Sequence, residues 1–86
     1  MKASHILVRS KEQADQILKE VSASNFGHLA MVHSNCPSKM RGGDLGEFGP
    51  GQMVKPFEDA VMSMPIGSVS QSVQTQFGYH IIYRTG

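Results

Sequence analysis

Eighty-six residues allow one domain, here 1–86, and a chain this short must keep its core continuous. With 40% apolar and 17% charged residues the composition is that of a folded globular protein, not a disordered one. The formal charge of +1 comes from scattered Lys and Arg and excludes the basic footprint of a nucleic-acid binder. One cysteine excludes an internal disulfide, and no apolar run is long enough for stable membrane insertion. These features predict a cytoplasmic monomer.

The first strand is predicted over 2–9. Ser10-Lys11-Glu12-Gln13 then matches the S-x-x-Q capping box of a helix start. Behind it Ala14, Ile17, Leu18 and Val21 recur at helical spacing, which predicts a helix to about residue 23. Asn25 is the expected N-cap of a second helix carrying Phe26, Leu29, Ala30 and His33. Pro37 interrupts, and the glycine-rich stretch to residue 53 reads mainly as turns, with a short strand at 45–48. Pro56 suits the first turn of a last helix, since its missing amide is not needed there. An edge strand is predicted over 69–75 and a final strand over 77–84.

The first and last strands each hold a histidine where an apolar residue is expected, in "SHILV" and "YHIIY". Alternation puts His5 on the face of Leu7, and His80 on that of Ile82. If the strands are neighbours, the imidazoles meet, and two stacked rings with a hydroxyl can satisfy each other's nitrogens. Otherwise each is a separately satisfied strand histidine. Cys36 beside histidines invites a thiol hydrolase. It follows a helical stretch, however, whereas a helix N-terminus is what depresses a thiol pKa. His28 and His33 are five apart and point about 140° from each other on a helix, so no metal site is expected. Leu45, Met53 and Phe57 read singly as core, and together as the lining of a small apolar cleft.

The segments "ASHILV", "FGHLAMVHSNCPSKMRGGDLGEFGPGQMVKPFEDAV" and "TQFGYHIIYRTG" resemble the parvulin family of peptidyl-prolyl cis/trans isomerases. The likeness runs in order over essentially the whole chain and is closest in style to the short single-domain bacterial type. It implies an α+β fold of the FKBP-like superfold: a four-stranded, mostly antiparallel sheet surrounded by four helices, the third very short. The first and last strands would lie side by side at the sheet centre. His5 and His80 would then be the family's paired histidines and Cys36 the Cys or Asp above them. Leu45, Met53 and Phe57 would form the proline pocket, with Phe77 at its edge and Ser4 or Thr75 completing the histidine network.

The resemblance implies rotation about Xaa-Pro bonds in flexible polypeptides, without cofactor or metal. The alternative is a non-catalytic chaperone module that uses the same groove. Phosphate-directed members carry a long basic loop after the first strand. Here "VRSKE" passes directly into a helix cap, so no phosphorylated residue before proline is expected to be required.

Overall fold

The structure, a computed structural model, describes residues 1–86. Strands β1 (Lys2–Val8), β2 (Asp44–Glu47), β3 (Val73–Thr75) and β4 (Gly78–Arg84) form one sheet in the order β2-β1-β4-β3. Every pairing in it is antiparallel. Helices α1 (Lys11–Leu18), α2 (Phe26–His33) and α3 (Lys55–Ser63) pack around the sheet. The third of the four expected helices is a five-residue 3₁₀ segment, Pro37–Arg41. Pro37 opens it, and Gly42, in the left-handed region at φ 67°, ends it before an α-turn is established. No helix is long and apolar enough to cross a membrane.

The period-2 pattern divides the core into two layers. Ile6, Val8 and Ile81 face α1 and α2, meeting Ala14, Ile17, Phe26, Leu29 and Ala30. Ala3 and Ile82 face the other way, toward Phe48, Phe57 and Val61. Register places His5 opposite Ile82 and Leu7 opposite His80. Both histidines therefore lie on the α3 face as diagonal neighbours across the central strand pair. Arg84 ties α3 down: its Nη1 donates to the carbonyls of Val61 and Met64, 3.1 and 2.9 Å away. A cation thus satisfies the Met64 carbonyl, which the helix end leaves free, and adds a second donor to the Val61 carbonyl, which already accepts the Met64 amide.

Several predicted boundaries shift because side chains capture the backbone. Ser10 caps α1 through the amide of Gln13, and Gln13 reaches back to the amide of Arg9. The helix ends at Leu18 rather than near residue 23. Asn25 Nδ2 donates to the Glu20 carbonyl and its Oδ1 accepts from Ser22 N, closing a turn there. Asn25 therefore precedes α2 without capping it by its side chain. The predicted edge strand contracts to Val73–Thr75. Upstream, Ser70 Oγ accepts the Ile82 amide that a ladder carbonyl would have taken, leaving only a single bridge, Val69 to Tyr83.

Candidate active site

His5 and His80 meet through their Nδ1 atoms at 2.9 Å. The rings are near-parallel, 19° apart, with centroids separated by 5.1 Å. Thr75 Oγ1 lies 2.7 Å from His80 Nε2 and also accepts the Phe77 amide. Of the two hydroxyls proposed from sequence, Thr75 completes the network. Ser4 sits one residue from His5 and so points to the opposite face of β1.

Hydrogen-bond accounting orders this chain. His5 Nε2 is enclosed without a partner, and a buried bare acceptor is tolerated better than a buried orphan N–H. The favoured arrangement therefore has His5 Nδ1–H donating to His80 Nδ1, and His80 Nε2–H donating to Thr75. Burial lowers the pKa of both imidazoles to about 4, with the neighbouring His80 adding to the effect on His5. Near neutral pH the pair is uncharged. Phe57 presents its face and edge to both rings, at 5.7 Å and 86° from His5 and 5.2 Å and 75° from His80.

Above this floor opens a cavity of about 460 Å³, enough for a proline ring with its flanking backbone. It brings together His5, Cys36, Phe57, Phe77 and His80. Leu45 and Met53 do not line it; both are half-buried and pack against the Phe57 cluster beside it. Cys36 stands at the start of the 3₁₀ segment, where the preceding residues are pinned to β1. The Asn35 amide donates to the Leu7 carbonyl at 2.7 Å, and the buried Ser34 hydroxyl accepts from Leu7 N and Cys36 N. Phe77, 59% exposed, lies in the β3–β4 turn rather than in the final strand. Gly43 lets the loop carrying β2 close onto β1: with φ 84°, a Cβ there would collide with the His5 carbonyl oxygen.

The cavity also takes in Leu7, Asn35, Pro37, Gln52 and Val54, which the sequence reading did not assign to it. Leu7 was accessible to that reading, because it alternates with His5. Gln52 was not. Its place follows from a type II turn with Pro50 second and Gly51 third, the latter at φ 86°. No Lys, Arg, Asp or Glu lines the cavity. Nowhere in the chain do three His, Cys, Asp or Glu side chains converge as a metal site.

Comparison with known proteins places this geometry. Residues 5–86 match the rotamase family, the PPIC-type PPIASE domain. The chain belongs to the parvulin family of peptidyl-prolyl cis/trans isomerases. Among parvulin relatives, Foldase protein PrsA 4 of Bacillus cereus is 46% identical over 87 residues, covering 99% of this chain and 31% of that protein. The crystal structure of peptidylprolyl isomerase PrsA from Bacillus anthracis superposes with a TM-score of 0.96 at 44% identity, covering 100% of this chain and 41% of that one. NmPin, the parvulin of Nitrosopumilus maritimus, gives a TM-score of 0.80 at 41% identity, covering 100% of this chain and 95% of that one. The chain thus spans about a third of the length of the curated PrsA relative.

Proposed function

We propose that this parvulin domain accelerates rotation about Xaa-Pro bonds of unphosphorylated, flexible polypeptides by a non-covalent mechanism. The observation that carries this reading is an uncharged cavity whose floor is a buried, neutral histidine pair packed under Phe57. Planar amides are held by resonance, and twisting them meets a barrier of about 18–20 kcal/mol. In the twisted state charge separation falls and nitrogen regains its lone pair. A mainly apolar, uncharged wall therefore disfavours the planar amide more than the twisted one. A thousandfold acceleration asks for only about 4 kcal/mol of such preference.

His5 and His80 hold the floor in one hydrogen-bonded arrangement. Phe57 takes the ring, Phe77 borders the cavity, and Leu45 and Met53 support Phe57 from the side. Cys36 sets polarity near the rotating carbonyl; no base is bonded to its sulfur, which argues for a polar role over covalent attack. Independence from phosphate is supported by the uncharged lining and by the short join of Arg9 and Ser10 between β1 and α1.

The reading extends to a cytoplasmic monomer working as one domain over 1–86. The unpaired thiol of Cys36 fits a reducing compartment. The large exposed apolar side chains (Met31, Val32, Met40, Met62, Ile66 and Phe77) are spread over α2, the 3₁₀ segment, α3 and the turns that follow α3 and β3, which fits a chain without a single self-association face. The deciding experiment is NMR exchange spectroscopy on an unphosphorylated Ala-Xaa-Pro-Phe peptide with catalytic amounts of protein. Accelerated exchange supports the isomerase. Binding without acceleration transfers the function to a chaperone module using the same groove.

A further inference from the structure

We propose that the finished domain takes a second, unfolded copy of this chain as a substrate, correcting its Xaa-Pro bonds and so catalysing its own folding from one molecule to the next. The inference rests on the isomerase reading above and names one client for it. The chain holds four prolines, and in the native fold all four Xaa-Pro bonds are trans. In unfolded peptides each such bond spends about 10–30% of its time in the other isomer and exchanges over tens to hundreds of seconds. With four bonds, about a third to three quarters of unfolded chains carry at least one wrong isomer.

Each of the four sites is committed to trans by hydrogen bonds on or across the bond. The Cys36 carbonyl, before Pro37, accepts Lys39 N at 3.0 Å. The Gly49 carbonyl, before Pro50, accepts Gln52 N at 3.3 Å. Gln52 Oε1 accepts the Gly49 amide in return, and Glu58 Oε1 holds the Gly51 amide to α3. In the first turn of α3 the Glu58 amide reaches back across Pro56 to the Val54 carbonyl at 3.0 Å. The Met64 carbonyl is taken by Arg84 Nη1 at 2.9 Å, while beyond the bond the Pro65 carbonyl accepts the amide and hydroxyl of Ser68. Half a revolution about any of these bonds breaks the hydrogen bonds on one side of it.

Three of the four prolines also build the cavity. Pro37 lines it, Pro50 shapes the turn that brings Gln52 to its wall, and Pro56 immediately precedes Phe57. The floor in turn needs His5 and His80, 75 positions apart, to meet. A chain with a wrong isomer therefore lacks the very site that would correct it. Prolines that form the walls cannot enter the cavity they enclose, so the correction must come from a finished copy. The cavity suits that client. It carries no Lys, Arg, Asp or Glu, and three of the four residues before proline, Cys36, Gly49 and Met64, are uncharged.

The test is refolding from urea, followed by the fluorescence of Tyr79 and Tyr83, with and without added folded domain. Chains unfolded to isomeric equilibrium should show a slow phase; chains unfolded for about a second, before the bonds exchange, should lack it. At a kcat/KM of about 10⁴ M⁻¹s⁻¹, the low end for enzymes, about 5 µM folded domain adds about 0.05 s⁻¹ to an uncatalysed rate of about 0.01 s⁻¹, roughly a sixfold acceleration. The slow phase should also quicken as the total chain concentration rises, and folded Phe57→Leu, with its weakened pocket, should accelerate it less. Absence of a slow phase, its survival after brief unfolding, or its indifference to added domain overturns the inference, while acceleration of an Ala-Xaa-Pro-Phe peptide by the same sample leaves the isomerase standing. A domain that accelerates neither the peptide nor the refolding chain overturns the isomerase reading, and this client with it.

Discussion

Acidification tests the histidine pair most directly. Burial holds both imidazoles at a pKa of about 4 in the folded chain, against 6.5 for the unperturbed group. Between these values the unfolded chain binds protons that the folded chain refuses, so stability is complete above about pH 6.5 and drains away as the pH falls toward 4. At about pH 5 the ratio of the two protonation polynomials corresponds to about 2 kcal/mol for each histidine and about 4 kcal/mol for the pair. That is a large share of the 5–15 kcal/mol typical of a small domain. Urea unfolding followed by circular dichroism would show it. With an m-value of about 1–1.5 kcal/mol/M, the midpoint should drop by about 3 M between about pH 7.5 and pH 5. In His5→Leu, which fits the apolar surroundings of Ile82 and Phe57, the drop should be about half as large, whatever the variant's stability at neutral pH. If wild type and His5→Leu lose the same stability over that interval, the buried neutral pair is not the source of the acid sensitivity and the reasoning fails.

Cys36→Ser should retain at least about a tenth of wild-type kcat/KM; a fall below about 1% would restore covalent attack as the mechanism. Phe57→Leu should weaken peptide binding, seen as a raised KM in the exchange assay, while Phe57→Ala should also cost about 3–5 kcal/mol of stability through the cavity it leaves. Arg84→Ala strands the Met64 carbonyl at the end of α3, leaves the Val61 carbonyl with only its bond from the Met64 amide, and should lower stability by about 1–3 kcal/mol, with Arg84→Lys recovering part of it; calorimetry would read this as a midpoint shift of about 4–8 °C per kcal/mol. An Arg84→Ala midpoint equal to wild type would mean that solvent caps the helix equally well. Gly43→Ala should be among the most damaging small substitutions, since it forces the loop away from the His5 carbonyl, and limited proteolysis should then cut near β2.

Much of the fold was legible because it rests on periodicity. Alternation in "SHILV" and "YHIIY" placed both histidines on strands. Their meeting needed only that the two strands be neighbours, which the resemblance implied and the register of His5 against Ile82 realises. Where side chains competed with backbone periodicity, the reading slipped. Asn25 closes a turn where α1 was expected to continue, and Ser70 substitutes its hydroxyl for a ladder carbonyl. Position within the pocket was harder still. Leu45 and Met53 are apolar and pack in the Phe57 cluster, yet neither lines the cavity, an outcome of loop geometry that spacing does not encode. Gln52 is a polar residue in a glycine-rich turn. Only the type II geometry, its bond to Gly49 and the Glu58 anchor bring it to the cavity wall.

The pairing of β1 with β4 has a consequence for how such a chain is made. These strands are the sheet's central neighbours, yet the histidines they join are separated by 75 positions. Contacts of that span close late and slow the search for the native state, because the intervening chain must be ordered before they are rewarded. During vectorial synthesis His5 would emerge early and wait, its imidazole hydrated and its strand without its main partner, until residues 78–84 arrive. Catalytic competence and completion of the fold would then coincide in time. A chain truncated before Gly78 would lack both its middle and its site, and recovery of isomerase activity after denaturation would serve as a clock for the last step of folding.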